Sequence, residues 1–231
     1  MSLYLGNQKV TPSVVYKDNK LQQLIQGELT ELTKEDFAGC EKIEKNVFYH
    51  NDSLLSVSIG DGVKDIGENA FAYCEKIRNV NASSVENFGR GCFYRVRNLY
   101  YISGGWSPNL KRVEASAFEQ TSMTDLTFPA SLEYLGVLAF SILTYGGLSG
   151  RRIVFLGQTP DLPNQVFDFV GTFDCRYCTK VPVLQSTSSI RWDSSISRRR
   201  CIVPDNLYDE WINSTNWASY TNVDFIKASE A

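Results

Sequence analysis

The most regular feature of this chain is a recurring block of apolar and small residues, clearest in LLSVSIGDGVKDIGENAFAYCEKI, residues 54–77. With Phe71 as the anchor, equivalent positions fall at Phe37, Phe48, Phe93, Phe118 and Phe140, in chain-order steps of 11, 23, 22, 25 and 22 residues. An apolar residue stands five positions before each anchor: Leu32, Ile43, Ile66, Phe88, Val113 and Leu135. Gly67, Gly89 and Gly136 follow it directly in three of the copies. Immediately before the anchor comes Val47, Ala70, Cys92, Ala117 or Ala139, with Asp36 the exception. Leu29, Val63, Val85, Leu110 and Leu132 stand eight before, and Cys40, Cys74 and Val96 three after.

A unit of about 22 residues cannot bury its own apolar face, whereas stacked units share a continuous core. The conserved spacing therefore predicts coils piled on one another, with the phenylalanines as an inward ladder. Within a coil, Leu55, Val57 and Ile59 alternate with Ser56 and Ser58, the pattern of a short strand with one buried face. The glycine after Ile66 suits a corner that needs a positive φ or a close backbone approach. Cys40 and Cys74 share a row with Val96 and read as small buried hydrophobes, with a disulfide along that row possible but not required. The expected fold class is mainly β: a leucine-rich-repeat-like solenoid of short strands and turns with a C-terminal strand-helix cap.

The block I-x-x-V-x-I-x(3)-V-x-x-I-G-x-x-A-F-x-x-C-x-x-I resembles the BspA-like leucine-rich repeat, over about residues 21–145. Two departures are expected to disturb the stacking: the half-length step from Phe37 to Phe48, and an extra Gly104-Gly105-Trp106-Ser107-Pro108 segment. RRIVFLGQTPDLP, from Arg151, resembles the last strand block of such proteins. CIVPDNLYDEWINSTNWASY, from Cys201, resembles their ending, a strand stopped at Pro204 and then a short amphipathic helix. Asp205 or Asn206 is placed to cap that helix, and Leu207 with Trp211 and Tyr208 with Ile212 give it an apolar stripe.

These readings divide the chain into an N-terminal arm or hairpin (1–20), a solenoid (21–150) and a terminal coil (151–231) with an inserted loop at 172–200 and a capping helix at 205–218. The arm, with Leu3-Tyr4-Leu5, Gly6-Asn7 and Lys9-Val10, resembles the N-termini of tail and baseplate-type proteins of phages that infect gut bacteria. An arm of this kind docks on a neighbour by adding a strand to an exposed edge. The inserted loop is rich in serine and carries Arg191, Trp192, Arg198, Arg199 and Arg200. Trp and Arg dominate binding hot spots, so these residues are the candidate contact loop; the alternative is a solvated excursion or a hairpin packed on the solenoid.

Composition narrows the functional classes. The chain has 231 residues with 43% apolar, enough for a sizeable core, and a formal charge of −3, which argues against a nucleic-acid partner. No membrane insertion is expected, because the apolar stretch at 137–148 is broken by Ser141, Thr144, Gly146 and Gly147. The N-terminus has no basic start and its apolar run stops at Gly6, so no export signal is read and the cysteines are expected to be reduced. His50 is the only histidine and sits in a turn-like YHNDS segment, so catalysis there is disfavoured and multi-histidine metal sites are excluded. Cys175-Arg176-Tyr177-Cys178 lacks a second C-x-x-C, and neither metal nor redox use is favoured for it, a structural disulfide between the two being the next candidate. No cofactor is expected.

Taken together, the resemblances imply a non-enzymatic virion component (tail, baseplate or fibre), likewise located in the virion after assembly in the bacterial cytoplasm. Its arm would hold other virion proteins, and the solenoid face and Arg/Trp loop would meet a neighbour or a host surface protein or glycan. It would be oligomeric in the particle. The alternative is a bacterial cell-surface or secreted adhesin of the same repeat family; a third reading places an enzyme in the C-terminal insertion.

Overall fold

A computed structural model describes residues 3–5, 8–10, 30–142 and 149–231. Two N-terminal strands, β1 (Leu3–Leu5) and β2 (Gln8–Val10), form an antiparallel hairpin. Leu29 and residues 143–148 of the apolar stretch lie outside the described residues.

From residue 31 the chain winds through very short strands that pair in parallel in two stacks. β3 (Glu31–Leu32) opens the first stack and β4 (Lys42–Ile43) the second. The alternation continues through β5 (Ser56–Ser58), β6 (Asp65–Ile66), β7 (Asn79–Asn81), β8 (Asn87–Phe88), β9 (Ile102–Ser103) and β10 (Arg112–Val113). Then come β11 (Asp125–Phe128), β12 (Tyr134–Leu135) and β13 (Arg151–Phe155). β3, β5, β7 and β9 pair in parallel in one sheet, and β4, β6, β8, β10 and β12 in another. The strands are short because only one or two side chains per coil need to reach the core before the chain turns. Val57, Val80 and Ile102 are the inward residues of the first stack, and Ile43, Ile66, Phe88, Val113 and Leu135 those of the second.

A third row of hydrogen bonds joins the turns that carry the anchors. Phe48 N–H donates to the Ala70 carbonyl, Phe71 to Cys92, Phe93 to Ala117 and Phe118 to Ala139, each at 2.8 Å. The rings pile face to face: centroids are 5.1 Å apart for Phe48–Phe71 and Phe71–Phe93, and 5.3 Å for Phe93–Phe118 and Phe118–Phe140. The stack runs on to Phe167, 5.7 Å from Phe140. Phe167 has Leu162 five before it and Val166 one before it, so its repeat signature is present, stretched to a step of 27 residues.

Two corners show why particular residues stand where they do. Gly67, Gly89 and Gly136 press on the preceding coil: an added Cβ would come within 2.7, 2.5 and 2.2 Å of its backbone. Close approach, not a positive φ, is what these positions require. The positive φ falls instead two residues on either side of the anchor. Asn46, Asn69, Gly91, Ser116, Leu138 and Gln165 precede it, and His50, Tyr73, Arg95, Gln120 and Phe169 follow it, with φ between 52° and 63°.

Both departures from the repeat have structural outcomes. Leu32 pairs with Val57 in the first stack, so Phe37 lies at the corner beneath Gly60 and is not a rung of the phenylalanine stack. The step of 11 residues compared two different sides of one coil. At the second departure, Gly104 and Gly105 adopt φ of 78° and 80°, and the first sheet ends at β9. The kink delivers the Trp106 ring into the core, 5.3 Å from Phe118 and 5.6 Å from Phe128.

The first stack resumes with β11 and β13 and continues through β14 (Phe167–Asp174), β15 (Ile190–Trp192), β16 (Arg200–Val203) and β17 (Asp224–Lys227). β14 is long because it turns a corner: its first half pairs with β15 and its second half with β13 and β16. The stretch 172–200 is therefore another coil, drawn inward by Cys175, Cys178, Leu184 and Ile190, all buried. The cap differs from the sequence expectation too. The helix α1 spans only Tyr208–Asn213, after a 3-10 turn at Asp205–Leu207, and Ser214 returns to extended backbone. Asp205 does not cap it; its carboxylate accepts the Ser229 N–H at 3.1 Å, beyond β17. Trp217, outside the helix, seals the end with Trp211, its indole N–H donating to the Pro182 carbonyl at 2.8 Å.

Candidate functional site

The Arg/Trp residues singled out in the sequence divide between two environments. Arg191 and Trp192 belong to β15. The Arg191 Nε lies 2.9 Å from Oδ1 of the buried Asp168, and its Nη2 donates to the Ile142 carbonyl at 3.2 Å. Asp168 also accepts from the Ser141 hydroxyl and the Ile142 N–H. Trp192 is half-buried, its ring 5.7 Å from Tyr220 and 6.5 Å from Phe173. Arg191 remains exposed beside this ion pair, whereas Trp192 is drawn inward, because an aromatic two residues after the inward Ile190 closes the core below the cap. Arg198 and Arg200 are exposed, and Arg200 lies in register with Asp224 of β17. Arg199 is half-buried, and its carbonyl accepts the Asp224 N–H.

A different surface gathers side chains suited to recognition. The left-handed residue two after each anchor projects its side chain off the turn row, and the residue one after lies beside it. Tyr49 and His50, then Tyr73, then Tyr94 and Arg95 thus form a band along successive coils. Tyr49 meets Tyr73 edge-on at 5.5 Å, Tyr73 meets Tyr94 at 5.3 Å, and His50 stacks on Tyr73 at 5.6 Å. The Arg95 guanidinium covers the other part of Tyr73, 5.5 Å from its centroid. The His50 Nδ1 is 3.7 Å from Asp52, with both side chains exposed.

Next to this band lies an open cleft of about 360 Å³ spanning three coils, lined by Glu68, Asn69, Arg90, Gly91, Tyr94, Ser116 and Glu119. Gly91 makes room for it: a Cβ there would strike the Asn69 side-chain oxygen at 2.4 Å. Burial pushes the Glu119 carboxyl up and also raises Tyr94, whose neighbour Glu119 adds to the effect. The sequence carried a signal for this surface, an aromatic or polar residue one or two places after Phe48, Phe71, Phe93 and Phe118, which a reading centred on the apolar positions passes over. Among the described residues, no group of three or more His, Cys, Asp or Glu side chains is arranged to hold a metal ion. No described helix is long and apolar enough to cross a membrane.

The sequence profile of the BspA type leucine rich repeat region matches residues 16–145 in six copies. The chain belongs to the BspA-type leucine-rich repeat family. Its matched span takes in the whole phenylalanine stack up to Phe140 and both faces of the aromatic band. Three solved structures are similar, two of them described as leucine-rich repeat proteins. One is the Treponema pallidum leucine-rich repeat protein, at 18% identity and TM-score 0.49, covering 81% of this chain and 80% of that one. Another is a leucine-rich repeat protein from Bacteroides ovatus, at 23% identity and TM-score 0.44, covering 71% of this chain and 37% of that one. A third, a leucine-rich cell surface protein from Faecalibacterium prausnitzii, has 15% identity and TM-score 0.37, covering 97% and 86%. A search of curated proteins gave no match.

Proposed function

We propose that this BspA-type chain is a non-enzymatic binding module of a bacterial surface or secreted protein. The aromatic band from Tyr49 to Arg95 and its adjoining cleft would meet a macromolecular partner. The observation that carries the reading is that band: aromatic and cationic side chains, held by left-handed turns on a rigid stack, are the residue types that anchor protein interfaces. A solenoid supplies the rest, a broad surface that need not rearrange to bind. Family membership supports the surface assignment, since proteins with this repeat are often found on bacterial cells. The virion reading draws on the N-terminal twenty residues alone, and the repeat family lends it no support.

The test uses the full chain in the cells that make it, with a photo-reactive side chain at position 50 in the band or at the exposed position 133 elsewhere. Position 50 is expected to capture a macromolecule, position 133 is not, and the protein is expected in the cell envelope or medium. Equal capture from both positions would remove the band as the binding surface. Recovery of the chain inside purified phage particles would replace the surface assignment with the virion one.

A further inference from the structure

Three of the six cysteines, Cys175, Cys178 and Cys201, meet near the C-terminal end of the solenoid. Cys201 lies in β16 opposite Phe173, and Cys175 follows β14 two residues after Phe173, so the topology sets them side by side. The Cys175 N–H and thiol both donate to the Ile202 carbonyl, at 2.9 and 3.3 Å. A tight turn brings Cys178 back, its N–H donating to the Cys175 carbonyl at 3.0 Å. The Cys175 thiol thus neighbours both Cys178 and Cys201.

The three are not equivalent. Cys175 and Cys201 are fully buried, and burial pushes the Cys175 thiol well up. Cys178 is buried too, at 5% exposure, but lies next to the surface between the exposed residues Tyr177 and Thr179. Its sulfur accepts the Thr159 N–H at 3.3 Å and lies 3.1 Å from the Thr159 hydroxyl. The hydrogen bond from Cys175, aided by both Thr159 groups, outweighs burial and brings Cys178 down to about 7. Two of the other thiols are shifted the opposite way: burial raises Cys74 to about 12 while its thiol donates to the Phe48 carbonyl, and Cys92 is raised further by full burial.

We infer that Cys178 and Cys175 form a dithiol modification site for low-molecular-weight disulfides, with Cys178 attacking and Cys175 resolving. The Cys178 thiolate bonds to one sulfur of the incoming disulfide, and the other sulfur leaves as a thiolate that solvent protonates. Cys175 then gives its proton to solvent and attacks the Cys178 sulfur, and the second small thiol departs. The dithiol loses two electrons and two protons, and the small disulfide gains both to become two thiols. Only a thiol that is ionised near neutral pH and within reach of solvent can begin this exchange.

The folded full-length chain, exposed to glutathione disulfide near neutral pH and mapped by peptide mass spectrometry, tests the site. The parent chain should lose two thiols, keep no adduct and show a Cys175–Cys178 link. Cys175→Ser should hold one glutathione on Cys178, and Cys178→Ser should lose no thiol on the same timescale. Thr159→Val should slow the reaction and move its pH profile upward, a shift that a general loss of packing does not produce. Thiol loss at an unchanged rate in Cys178→Ser overturns the assignment, as does an adduct spread over Cys40, Cys74 and Cys92 or a Cys175–Cys201 link in the parent.

Discussion

Phe93 lies fully buried between Phe71 and Phe118, with ring centroids 5.1 and 5.3 Å away. Parallel-displaced rings at this distance gain both burial and favourable quadrupole contact. Replacing Phe93 with Ala opens a cavity that neighbouring coils cannot close, because each is tied to the next by backbone hydrogen bonds. The expected loss is about 3–5 kcal/mol in urea unfolding. Tyr49→Ala, at a side chain 39% exposed, should change stability by about 0.5 kcal/mol or less. Residue identity also records the backbone. Asn46, Asn69 and Gly91 are types that tolerate φ > 0, and they announce a left-handed turn before the anchor. Ser116 and Leu138 occupy the same conformation without announcing it, which is why this row escapes a reading of the sequence alone.

Between elements, polar side chains do what strand pairing leaves undone. Arg151, the first residue of β13, is buried and donates to the carbonyls of Met123, Phe140 and Asp168. Burial lowers it to about 10, against the pull of Asp168, so it stays charged at neutral pH. A second tie joins the start of β13 to the turn after β15: the Asp193 carboxylate accepts from the Ser149 and Ser195 hydroxyls and the N–H groups of Gly150 and Ser195. Burial pushes Asp193 up, but these donors prevail and hold it at about 2. Its folded value lies below the ordinary 3.8, so the carboxylate favours the fold above about pH 4, and that benefit drains as pH falls toward 2. Asp193→Asn should therefore melt below the parent at neutral pH, by on the order of 1 kcal/mol, and the two melting curves should converge near pH 2.

At the scale of the molecule, each coil touches only its neighbours, so the ends decide whether the stack is stable in water. The C-terminal end is closed by Trp211, Trp217 and Tyr220, the last with its hydroxyl on the Thr187 and Ile190 carbonyls. Removing residues 204–231 uncovers Phe173 and leaves β16 as an open parallel edge. The truncated chain should elute in size-exclusion chromatography as larger species than the full chain, because the uncovered core and the longer buried strand now at the edge recruit other chains.

The solenoid was legible because its cause is periodic. A short unit must place the same apolar residue types at the same points of every coil, and that repetition survives in one dimension. The insertion of Trp106, the off-stack place of Phe37 and the folding of 172–200 into a further coil were not legible. In each the inward residues arrive at irregular spacing, and only the backbone pairing shows which side of the coil they occupy. The same holds for the surfaces. The sequence marked the Arg/Trp segment by residue type, yet Arg191 and Trp192 are spent on Asp168 and the core. The aromatic band and the meeting of Cys175, Cys178 and Cys201 exist because stacking brings distant turns within ångströms of one another. Composition and period settled what repeats; three-dimensional adjacency settled which side chains were left free to act.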